Sequence, residues 1–70
     1  MSNHGTRLLL QGREVGRATD VQLVDAQRRL QKCGDTKNAC LIVSLEYMDL
    51  GYEPDWSVAL AKLAYAIMHA

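Results

Sequence analysis

The last stretch of this chain leaves it the fewest choices. From Trp56 to His69, only Ser57, Lys62 and His69 are polar besides the Tyr65 hydroxyl. Trp56, Leu60, Leu63 and Ile67 recur at helical spacing as a seam, and Val58, Ala59, Ala61, Ala64, Tyr65, Ala66 and Met68 surround them. A helix that is apolar nearly all round belongs inside a core or an interface. The whole chain is 70 residues, enough for one small domain. A core of that size rarely supplies more than ~3–5 kcal/mol by itself, and small chains often add a disulfide, a metal or a partner subunit. The expectation is therefore that helix three exceeds what its own domain can cover.

The rest of the chain reads as the packing for that helix. Thr6 to Ala18 fits a β-hairpin turning at Gln11-Gly12, with Gly12 supplying the positive φ of a primed turn. This register sets Leu10 opposite Arg13 and Leu8 opposite Val15, and places Leu8, Leu10 and Val15 on one face. A lone hairpin is marginal in water, so that face is expected to lie on a helix. Thr19 followed by Gln22 fits a capping box, and Leu23, Ala26, Leu30 and Cys33 then share one face of a first helix over about 20–33. Asp25 and Arg29 stand one turn apart on its outer face, and Gly34 is expected to end the helix in left-handed conformation.

Asp35 is placed to cap a second helix over about 36–50, and Gly51 to stop it. The dense apolar content of Ala39–Leu50 suggests that this helix is central. Pro54 suits the start of a third helix over about 55–69. The fold class is thus α+β and predominantly helical, a hairpin followed by three helices, with residues 1–5 as a flexible tail. An all-α three-helix bundle with an extended N-terminal arm is the alternative.

Composition narrows the function classes. Eight basic and eight acidic side chains give a formal net charge of zero, whereas nucleic-acid binders usually carry a basic footprint. The charge is uneven: residues 1–34 hold six basic and three acidic groups, and residues 35–70 hold two and five. Arg13, Arg17, Arg28 and Arg29 form a candidate basic patch within the first half. A helix-turn-helix reading would place helix two in the groove with Leu41, Ile42 and Leu45 facing outward, and such side chains read neither base edges nor phosphates. No Gly-rich phosphate loop, His-Glu-x-x-His, Gly-x-Ser-x-Gly or Cys-x-x-Cys occurs. His4 and His69 lie near the termini, where a general base would lack rigid support. Cys33 and Cys40 match no zinc spacing and read as small buried hydrophobes. Neither catalysis nor a metal or other cofactor is expected.

Apolar runs such as Ala39–Val43 fall far short of a membrane span, and the first residues lack the order of an export signal. A cytoplasmic chain with reduced thiols is expected. What remains is interaction with a protein partner, as an adaptor, chaperone-like subunit or inhibitor such as short bacterial and phage chains supply. The candidate interface is Trp56, Leu60, Leu63, Tyr65, Ile67 and Met68, with Trp56 and Tyr47 also suited to filling the core. Tyr65, Met68 and the alanine-rich Ala64–Ala70 end are the favoured contact, and a homodimer through helix three is expected. The alternative is a small nucleic-acid-binding regulator using the basic half.

Overall fold

A computed structural model describes residues 5–34 and 37–70. Two antiparallel strands, β1 (Thr6–Leu10) and β2 (Arg13–Ala18), are followed by helices α1 (Asp20–Cys33), α2 (Ala39–Asp49) and α3 (Pro54–Met68). The order and type of all five elements match the hairpin-plus-three-helices expectation.

The hairpin turns through Gln11 and Gly12, whose φ values of 54° and 79° are the pair of positive angles that a type I′ turn requires. Its register departs from the simple pairing. Leu10 lies opposite Arg13 and Leu9 opposite Glu14, but Leu8 lies opposite Gly16 rather than Val15. Val15 is the extra residue of a β-bulge. Leu8 is buried, and Leu10 and Val15 still pack against the core, so the apolar face survives the shift. The bulge matters because it sets Gly16 under Trp56. A Cβ on Gly16 would come within 2.7 Å of the indole Cδ1, and only glycine takes its φ of 142° at ease.

Helix α1 begins with the expected capping box: the Gln22 backbone N–H donates to the Thr19 hydroxyl at 3.1 Å, and the Thr19 backbone N–H donates to Gln22 Oε1 at 2.8 Å. Leu23, Ala26 and Leu30 are its buried face. Gly34 ends it with the positive φ expected of a glycine cap, 72°, but its ψ of −155° lies outside the left-handed helical region. The Asp35 cap lies outside the described residues. Helix α2 starts at Ala39, three residues later than expected, behind Asn38, which makes no side-chain cap bond. Pro54 occupies the first turn of α3, where its missing N–H costs nothing.

The expectation that α2 is central is corrected. Helix α3 is the element packed against both strands and both other helices. The reason lies in side-chain size. Ser57, Leu60, Ala61 and Ala64 are almost completely buried along one face of α3, and three of the four are small enough to let neighbouring backbones approach closely. The two buried hydroxyls are satisfied within their own helices: Ser57 donates to Glu53 O at 2.8 Å and Ser44 to Cys40 O at 2.6 Å.

Candidate interaction surface

Helix α3 distributes the six residues expected to form an interface over very different environments. Leu60 is 0 % exposed and belongs to the core, so it is not available to a partner. Trp56 and Leu63 are partly buried against that core, as is Met68. Trp56 is further committed: its indole N–H donates to the Arg17 carbonyl at 2.8 Å, and its ring stacks on Tyr52 with centroids 4.6 Å apart. Only Tyr65 and Ile67 stand exposed, at 43 % and 46 %. Tyr65 lies 4.2 Å, centroid to centroid, from the ring of His69.

The alanine-rich side was expected to receive a second molecule. Of these alanines, Ala59, Ala61 and Ala64 receive this chain's own elements, because residues with no side chain beyond Cβ suit a core crossing as well as an interface, whereas Ala66 and Ala70 are exposed. Between the ends of α1 and α3 lies a hollow of about 200 Å³, lined by Leu30, Gln31, Ala39, Tyr65 and Met68 among others. It is below the size of ordinary small-molecule sites.

The unmatched apolar surface is on α2. Leu41, Ile42 and Leu45 are exposed at 56 %, 40 % and 52 %, while Ala39, Val43, Ser44 and Tyr47 bury the opposite side. These three large side chains sit within little more than one helical turn, so they form a patch and not scattered singles. The signal was present in the sequence: α2 has apolar residues on every face, and a helix at the edge of a small bundle buries only one of them. Further exposed apolar residues, Val21 and Val24 on α1 and Leu50 after α2, lie on other parts of the surface.

Around the other side of α2 runs a polar network that joins it to α1. The Tyr47 hydroxyl and Arg29 Nε both donate to Asp25 Oδ2, at 2.5 and 2.8 Å, and Arg29 also donates to Glu46 at 3.0 Å. The guanidinium lies 5.0 Å from the Tyr47 ring centroid, a cation–π geometry. The hydrogen bonds from Tyr47 and Arg29 hold the Asp25 carboxyl below its ordinary range. Burial, with the Asp25 charge beside it, pushes the Tyr47 hydroxyl up. The two carboxylates likewise raise Arg29.

This network bears on the basic patch. Arg29 is committed to Asp25 and Glu46, and Arg13 lies 3.1 Å from Asp55. Arg17 and Arg28 remain exposed. Cys33 and Cys40 are both partly buried thiols packed on the core, and burial raises Cys40 further from its thiolate form. Among the described residues, no three His, Cys, Asp or Glu side chains gather as a metal site. No helix among them is long and apolar enough to cross a membrane. His4 lies outside the described residues.

Protein-family models, curated proteins and solved structures give no match to this chain.

Proposed function

We propose that this chain is a non-enzymatic protein-interaction module that engages its partner through the outer face of α2. The exposure of Leu41, Ile42 and Leu45 on one helix face carries this reading. Three large aliphatic side chains held in water by a rigid helix gain on the order of 25 cal/mol for each Å² that a partner covers. The helix presents them without rearrangement, since Val43 and Tyr47 anchor it from behind. Such a module acts by occupying a surface, as an adaptor, a chaperone-like subunit or an inhibitor does. Tyr65 and Ile67 at the end of α3 are a secondary contact region within the same reading.

The nucleic-acid regulator draws less support, because two of its four arginines are held by carboxylates. Binding to a duplex that weakens steeply with salt would favour it.

The test is site-specific photo-cross-linking in cells that make the protein. A photoreactive residue at position 45 is expected to trap a protein adduct, and one at Glu14, exposed on β2, is expected to trap none. Absence of any adduct at positions 41, 42 and 45 would overturn the proposal.

A further inference from the structure

We infer that the occupant of the α2 face is a second copy of this chain, docked with its own α2 antiparallel to the first. The inference rests on the α2 reading above and adds the partner's identity and orientation.

A two-fold interface uses the same patch on both molecules, so the patch must be complementary to itself after a half-turn. The outer side of α2 has this property along one row. Lys37, Leu41, Leu45 and Asp49 follow one another at intervals of four residues, and all four are exposed. Within α2, Leu41, Leu45 and Asp49 form a ridge of the kind that packs into a groove of a facing helix, and Lys37 precedes them by the same interval in sequence. Lys37 stands in the turn just ahead of the first helical residue, Ala39, and Asp49 is the last helical residue.

The row is symmetric about the level of Val43. Leu41 and Leu45 lie two residues to either side of it, and Lys37 and Asp49 lie six to either side. Reversing the helix about that level places Leu41 against Leu45 of the copy, and Lys37 against Asp49 of the copy. Each apolar contact and each opposite-charge contact then occurs twice. A parallel arrangement would instead set Lys37 beside Lys37 and Asp49 beside Asp49. The charge pattern therefore selects the antiparallel one.

The other charged group on α2 does not disturb this pairing. Glu46 points toward α1, where Arg29 holds it at 3.0 Å. Ile42 widens the apolar strip on one side and the partly buried Met48 widens it on the other. One helix face is well short of the ~800 Å² per partner of a standard interface, so the dimer is a weak one, with Kd on the order of 100 µM.

Sedimentation equilibrium from about 1 µM to about 1 mM tests the inference on the full chain, with circular dichroism confirming that each variant is folded. The wild-type chain is expected to move from monomer to dimer across this range, and Leu45→Glu to stay monomeric. Lys37→Glu and Asp49→Lys alone each replace two attractions by two repulsions and should weaken the dimer roughly tenfold. Combined in one chain they restore the attraction and should return Kd to within about threefold of wild type. A monomer at every concentration would overturn the self-pairing, as would a dimer indifferent to Leu45→Glu. Failure of the double reversal to rescue would overturn the antiparallel register. A chain that stays monomeric yet cross-links to another protein from position 45 loses this inference and keeps the proposed function.

Discussion

The Tyr47 hydroxyl donates to Asp25 Oδ2 at 2.5 Å, fastening α2 to the middle of α1 beside the interhelical ion pair of Arg29 and Glu46. Tyr47 reaches this position with its ring edge-on to both Tyr52 and Trp56, at centroid distances of 5.8 and 5.9 Å. One side chain thus joins α1, α2 and the aromatic cluster at the start of α3. Tyr47→Phe keeps the ring and removes the donor. A hydrogen bond to a charged acceptor contributes roughly 1.5–3 kcal/mol, reduced here because the Asp25 side chain is 47 % exposed. The expected loss is about 1 kcal/mol in urea-induced unfolding followed by circular dichroism.

The same pair contributes to the pH dependence of folding at both extremes. Asp25 is held below its ordinary value in the folded chain, so its contribution is complete above the unfolded carboxyl pKa of about 4. It is lost as the pH falls through the lower folded value. Tyr47 is held above its ordinary value, so its contribution is complete below about pH 10 and is lost as the pH rises beyond that. Stability measured by urea titration is expected to decline at both extremes. Tyr47→Phe should remove the tyrosine's share of the alkaline decline and shrink the acid one.

Gly16→Ala and Gly12→Ala separate two costs of replacing glycine. Gly12 has φ 79° with open space around it, so alanine there meets only backbone strain, about 1 kcal/mol. Gly16 combines φ 142° with an indole 2.7 Å from the new Cβ. The expected loss exceeds ~2 kcal/mol, with a shift in Trp56 fluorescence as the ring is displaced from the Arg17 carbonyl. Equal melting temperatures for the two variants would contradict this packing.

Leu60 and Leu45 are the same residue type in opposite environments. Leu60→Ala opens a cavity in the core and should cost ~2–5 kcal/mol, whereas Leu45→Ala should change monomer stability by less than about 0.5 kcal/mol. Thermal melts at a concentration below dimer formation make the comparison.

Ala61 tests how closely α3 is packed. It is 0 % exposed, and the Cys40 thiol of α2 lies 3.8 Å from its carbonyl. Ala61→Leu is expected to cost ~1–3 kcal/mol by overpacking, although leucine is a good helix former. A neutral effect would mean that the helices part easily.

Local chemistry made much of this protein legible from its residues. Thr19 and Gln22 announce a helix start because their side chains satisfy neighbouring backbone donors, and Gln11-Gly12 announces a turn because glycine tolerates positive φ. Leu23, Ala26 and Leu30 repeat with the helical period, so the buried face of α1 follows from spacing alone. In α2 and α3 nearly every position is apolar, and periodicity then no longer distinguishes a buried face from an exposed one. Tertiary packing made that choice. The small residues of α3 let four elements close around it, which drew Leu60 and Ala61 inside, allowed α3 and not α2 to become the central element, and left Leu41, Ile42 and Leu45 facing water. The β-bulge that sets Gly16 beneath Trp56 was likewise decided by the fit of a ring against a strand, a contact between residues 40 positions apart. Sequence determined where the hairpin, α1 and α3 begin and end, because those signals act across a few residues, whereas the start of α2, with no side-chain cap, was not marked in this way. Only the assembled fold decided which apolar surface is left uncovered, because that depends on how much area the other elements can reach.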